Sequence, residues 1–128
     1  MRHSNAELLE RLFGAFGRDV RTLAELLAED VVWRVPGETV MSGEHRGRDD
    51  VLRFLRGTRA NTGDSYRSDF RYAVADDEHG VAVYRARGER AGRSLDIDQA
   101  LFCRFANGQI VDVTAIPFDF PAFAEFWS

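Results

Sequence analysis

The amino-acid sequence predicts an α+β fold, with helices packed on one face of a curved antiparallel sheet. Three observations carry this. Apolar residues up to Leu55 recur mostly at helical spacing, those from Tyr66 onward alternate with polar ones, and the helices precede the strands instead of alternating with them. With 128 residues, 45% of them hydrophobic and ten of them Phe, the chain reads as one domain, 1–128, whose core needs no disulfide or metal staple.

The elements follow in order. A helix opens at Asn5 with Ser4 or Asn5 as its cap, and Leu8, Leu9, Leu12, Phe13 and Phe16 form its apolar face. Gly17 is expected to end it. A second, short helix begins after Asp19 and carries Val20, Leu23, Leu26 and Leu27. Glu29-Asp30 is expected to close that helix and release the strand Val31–Val35. Pro36-Gly37 stops the strand, and the polar stretch to Gly47 reads as a loop. Asp49 or Asp50 then sits in the first turn of a third helix, where negative charge suits the helix dipole. Val51, Leu52, Phe54 and Leu55 form its inner face, and Arg56 to Asp64 reads as a loop.

From here the period is two. Tyr66, Ser68, Phe70 and Tyr72 alternate with charged residues as a half-buried strand. Asp76-Asp77-Glu78 turns the chain into the strand Val81–Arg90, and Ala91-Gly92 turns it back into Ser94–Phe105. Asn107-Gly108 makes a tight hairpin turn before Gln109–Ile116. Phe118 to Trp127 reads as a short terminal helix with Asp119 near its start.

Composition excludes several functions. The net charge of −4 comes from interspersed signs, unlike the basic face of a nucleic-acid binder. Cys103 is the only cysteine, so no intrachain disulfide or Cys-rich zinc site forms, and its apolar neighbours mark it as a buried, inert thiol. His3, His45 and His79 are dispersed without metal-ligand spacing, and no Gly-rich phosphate motif occurs. Neither a metal nor a cofactor is expected. The polar start and the lack of any apolar run near ~18 residues predict a cytoplasmic protein with no membrane partner.

Several residues together resemble a known family. They are the helix–helix–strand opening through Leu27-Ala28-Glu29-Asp30-Val31-Val32-Trp33, the Pro36-Gly37 stop, Gly47-Arg48-Asp49 before a helix, and Asn107-Gly108-Gln109-Ile110-Val111 in the last hairpin. In that order they are similar to the SnoaL-like, ketosteroid isomerase-like branch of the nuclear transport factor 2 superfamily, over Asn5 to Trp127. The resemblance implies a cone: a bent antiparallel sheet of the cystatin-type roll wrapped by N-terminal helices, enclosing an apolar pocket, commonly as a homodimer. It also implies cofactor-independent acid–base chemistry on an apolar polyketide- or steroid-like substrate. Fold membership alone does not fix which reaction.

The residues of the known chemistries do not carry over. Ketosteroid isomerases use an Asp base with Tyr and protonated Asp donors. The resemblance would place that base at Val35, the acid at Leu101 and the Tyr around Arg11 to Phe13. None of these matches. The Arg and Asp of epoxide hydrolases find no matching Arg-x-Asp at Asp96-Ile97-Asp98-Gln99, and their second acid, like that of SnoaL itself, falls near Thr114-Ala115-Ile116, which has no carboxylate.

Strand alternation supplies the remaining candidates. If Leu101 faces inward, Gln99, Cys103 and Phe105 do too, while Asp98 and Arg104 point away; Ala82, Tyr84 and Ala86 share a face on the next strand. Tyr84 and Gln99 could jointly hold a carbonyl or enolate oxygen, against the plainer reading of a Tyr with a satisfied hydroxyl. Asp98 is the candidate base if the register shifts by one residue. His45 and Asp119 are further acid–base candidates, against a solvated loop His and a helix cap. Phe13, Phe16, Trp33, Val35, Tyr72, Leu101, Cys103, Val113, Phe118 and Trp127 are the expected lining of a pocket for a hydrophobic ligand. Three readings stay open: an enzyme, a non-catalytic binding protein, and an assembly module. An interior paired carboxylate would favour the first, an apolar cavity the second, a filled cavity the third.

Overall fold

The computed structural model describes residues 2–128. The elements are α1 (Ser4–Ala15), α2 (Val20–Leu26), β1 (Leu27–Val35), β2 (Gly43–Arg46), α3 (Arg48–Ala60), β3 (Arg67–Ala75), β4 (His79–Arg90), β5 (Arg93–Ala106), β6 (Gln109–Pro117) and α4 (Phe120–Trp127). The strands form one sheet in the order β2-β1-β6-β5-β4-β3. The expected meander β3 to β6 is antiparallel throughout, and β1 joins it by running parallel to β6. The predicted α+β class therefore holds, with helices over the concave face.

α1 starts one residue earlier than expected. His3 is its N-cap, and its Nδ1 accepts from the Asn5 N–H at 3.0 Å. The other ring nitrogen reaches Asp77 at 2.9 Å, and the Asn5 amide donates to the Asp76 carbonyl at 3.0 Å. These bonds pin the helix start to the β3–β4 turn. Its apolar stripe buries Leu8, Leu9, Leu12 and Phe13, each side chain contributing roughly 2 kcal/mol of transfer free energy. α2 is capped by Asp19, which accepts from the Thr22 N–H at 3.1 Å and the Thr22 hydroxyl at 2.7 Å.

Glu29-Asp30 does not end α2. The helix passes straight into β1 at Leu27, and the pairing with β6 slips between Leu27 and Val32, so the two acids bulge outward and stay exposed. The stretch read as a loop contains β2, which pairs with β1 through Trp33 opposite His45. A four-residue edge strand of polar side chains leaves no hydrophobic period to read. α3 extends through Gly57 to Ala60, beyond the predicted end; the Asn61 amide and backbone N–H both close on the Gly57 carbonyl. At Asn107-Gly108 φ is positive at both residues, 53° and 76°, as the tight hairpin turn requires. α4 is capped by Asp119, which accepts from the Ala122 N–H at 3.1 Å.

β3 departs most from expectation. A bulge between Phe70 and Tyr72 places one extra residue in the strand. Phe70 keeps its inward setting, but Tyr72 turns out and Ala73 takes the interior position.

Candidate functional site

The concave face is built in rows across the sheet. Trp33, Val113, Cys103 and Gly80 lie side by side, as do Ala115, Leu101 and Ala82. Gly80 is needed there: a Cβ would lie 2.9 Å from Phe105 and 3.0 Å from Leu9. The next row sets Phe70, Tyr84 and Gln99 opposite one another. Phe13, Trp33, Val35, Leu101, Cys103, Val113 and Trp127 are all buried in this interior, and Phe16 is half-buried beside them.

Two of the expected lining residues are elsewhere. Tyr72 is 57% exposed because of the β3 bulge, and Phe118, 59% exposed, lies past the end of β6 before α4 begins. Asp98 also stands outside. No register shift turns it inward; it pairs with Arg85 at 3.1 Å on the outer face, where Arg85 also holds Asp96 at 2.7 Å. Asp119 is the helix cap. His45 stacks on Phe54 with centroids 4.1 Å apart and donates toward the Met41 carbonyl at 3.3 Å.

The aromatic side chains meet across the cone. Phe13 touches Tyr84 (centroids 4.8 Å), Phe70 (5.4 Å) and Phe16 (4.9 Å); Phe16 approaches Trp33 at 6.4 Å, and Trp33 approaches Phe54 at 6.0 Å. A continuous aromatic column thus runs from Tyr84 to His45 at the surface, and these side chains occupy the space expected for a pocket. Phe16, Phe54 and Phe70 are only partly buried. Two clefts lie outside the cone. One, of about 600 Å³, is polar and opens between Asn61-Thr62 and the β4–β5 hairpin. The other, of about 270 Å³, lies among Glu29, Arg46 and Asp50.

Inside the cone one polar pair stands out. The Gln99 Nε2 donates to the Tyr84 hydroxyl at 2.7 Å, with both residues buried. The Gln99 Oε1 has no partner among the described residues. Burial pushes the Tyr84 hydroxyl well above its usual range, and the nearby Tyr66 oxygen adds to this, so Tyr84 stays protonated at neutral pH. Burial also raises Tyr66, partly countered by the Ser68 and Tyr84 hydroxyls beside it. Tyr66 is not among the candidate residues read from the sequence, although the alternation Tyr66, Ser68, Phe70 places it on the strand's apolar face; it lies one residue before β3. Tyr66 packs beside Gly88, where a Cβ would make only ordinary contact with it at 3.4 and 3.6 Å. Cys103 is buried with its thiol raised by burial, as an inert core thiol should be. No carboxylate or imidazole is buried among the described residues, and none of them form a metal-ligand cluster.

A curved open sheet wrapped by helices defines the class of small helix-wrapped roll proteins. The SnoaL-like domain family matches residues 9–113, and the chain belongs to that family. It is 32% identical to uncharacterised proteins of Mycobacterium tuberculosis and Mycobacterium bovis, over 98% of this chain and 97% of each relative. It superposes on Bal32a from a soil-derived mobile gene cassette with a TM-score of 0.92 and 30% identity, covering 97% of this chain and 96% of that one. TerC, co-crystallised with polyporic acid, shares the fold with a TM-score of 0.82 and 20% identity, over 97% and 98% of the two chains.

Proposed function

We propose that this chain binds an apolar, polyketide- or steroid-like small molecule within the aromatic cone and holds one of its oxygens on Tyr84 and Gln99. The observation that carries this reading is the buried Tyr84–Gln99 pair. A core that served only assembly would gain nothing from an interior amide with one end unpartnered, at a cost of about 1–3 kcal/mol. The half-buried Phe16, Phe54 and Phe70 are the rings that a ligand would displace. The co-crystallisation of TerC with polyporic acid supports a small organic ligand for a protein of this fold.

As an enzyme, the Tyr84 O–H would donate to an enol oxygen while the Gln99 Oε1 accepts the enol's own proton, the electrostatic part of a cofactor-independent cyclisation or isomerisation. Protons would then have to pass between parts of the substrate or to water near His45, since the interior supplies no base. The absence of a buried carboxylate among the described residues speaks against turnover and leaves binding alone as a second reading, while the filled cone speaks for the assembly reading. Calorimetric titration with planar tricyclic quinones and phenols tests the shared part. One-to-one binding that quenches Trp33 fluorescence is expected; no binding across the panel would sink both readings.

The outer sheet face carries Tyr72, Val74, Phe102 and Ile116 in an exposed apolar patch beside the Arg85–Asp96–Asp98 ion pairs. A second copy of this chain is its proposed occupant. Sedimentation should give a dimer that Phe102→Glu converts to monomer; a wild-type monomer at all concentrations refutes this.

A further inference from the structure

We infer that the molecule held at this site carries a hydroxyl group, which donates to the Gln99 Oε1 and accepts from the Tyr84 O–H. The inference rests on the small-molecule reading above and narrows it from any apolar ligand to a hydroxylated one.

The hydrogen-bond inventory of the pair leads there. Gln99 is only 3% exposed, so water does not reach its amide freely. Its Nε2 is committed to the Tyr84 oxygen at 2.7 Å, and its Oε1 is left as an acceptor without a donor. The Tyr84 oxygen already accepts from Gln99, so its own proton is free to be donated. Tyr66 is the neighbouring oxygen that can take this proton when no ligand is bound. The Gln99 Oε1 has no such stand-in. The pair thus presents one donor and one acceptor side by side, and a single hydroxyl complements both. A ketone or an ether answers only Tyr84. A hydrocarbon answers neither and leaves the amide end buried without a partner, which is the situation that discriminates most strongly between ligands.

The surroundings say what the rest of the molecule is like. Ala82 and Ala86 flank Tyr84 on its strand with no measurable exposure, and Phe13 lies with its centroid 4.8 Å from the Tyr84 ring. The space beside the Tyr84 ring is taken by Phe13 and the partly buried Phe70, which a ligand would displace, and the rings around it suit an aromatic plane. A planar phenol or enol fits this chemistry.

The test uses three probes of one shape: 2-naphthol, 2-methoxynaphthalene and naphthalene, each titrated into the full chain by calorimetry. In the wild type, 2-naphthol should bind about tenfold or more tightly than the other two. In Gln99→Leu, and in Gln99→Met should the leucine variant fail to fold, 2-naphthol should fall to the level of 2-methoxynaphthalene, with naphthalene unchanged. Equal affinities for all three probes in the wild type overturn the inference and leave the small-molecule reading standing. A naphthol preference that survives both Gln99 variants overturns it as well. Failure of all three probes to bind removes the reading on which it rests.

Discussion

Replacing Tyr84 by Phe and Gln99 by Leu, singly and together, gives a cycle whose signs follow from the geometry. Tyr84→Phe removes a buried hydroxyl and leaves the Gln99 Nε2 without the acceptor it holds at 2.7 Å. Since Oε1 already lacks a partner, the amide would then be buried with both ends empty. One lost hydrogen bond is worth about 1 kcal/mol and a newly orphaned buried donor about 1–3 kcal/mol, overlapping costs that put the variant about 2 kcal/mol below wild type. Gln99→Leu removes the orphan along with the bond, so its net change should stay within about 1 kcal/mol. In the double variant two apolar groups replace the pair in a site lined by Phe13, Leu101 and Ala82, and stability should return to near wild type. The coupling between the two positions is then about 2 kcal/mol. Urea denaturation at 25 °C, followed by tryptophan fluorescence and circular dichroism, measures it; with a slope near 1.5 kcal/mol per molar, the Tyr84→Phe midpoint should fall by about 1.3 M. A Tyr84→Phe variant within about 0.5 kcal/mol of wild type, or additive single effects, would refute the account of a paired interior.

The other predictions test separate parts of the structure. Cys103 should not react with a thiol reagent in the native protein and should react fully on denaturation; fast native labelling would show that the cone interior is open. Burial raises Tyr84 and Tyr66 above the ordinary tyrosine value of about 10, so below about pH 10 neither contributes to the pH dependence of stability. Above it the unfolded chain loses protons that the folded chain keeps, and stability should fall with each unit of pH, less steeply in Tyr84→Phe; a flat profile from about pH 9 to 11 would contradict their burial. Asp98→Asn should leave ligand affinity unchanged and cost at most about 1 kcal/mol, since its pair with Arg85 is half-exposed. A large loss of binding in that variant would return Asp98 to the site.

Much of this was legible in the sequence because side-chain periodicity records which face is buried. The inward row Gln99, Leu101, Cys103 and Phe105, and its partner row Ala82, Tyr84 and Ala86, follow from alternation once Leu101 is taken as internal. The caps Asp19 and Asp119 are readable for a related reason, since a short acidic side chain ahead of an apolar run has one common use. Other features leave no such trace. β2 is held by backbone bonds to β1 and needs no apolar pattern of its own. His3 caps α1 because its ring also reaches Asp77, a contact 74 residues away along the chain. The packing of Phe13, Phe16 and Phe70 on one another depends on where helices sit over the sheet, which strand alternation does not record.

The bulge in β3 bears on how folds of this kind diversify. Strict alternation from Phe70 would bring Tyr72 and Val74 into the interior and send Ala73 out; the extra residue at Arg71 reverses the two sides of the strand's end. Deleting Arg71 would straighten the strand and leave Tyr72 and Val74 outward and Ala73 inward, so a loss of three nucleotides there would spare both the cone and the outer patch. The bulge is thus a place where the strand can lose a residue without exchanging its faces, whereas the same loss within a regular stretch would swap interior and outer surface together.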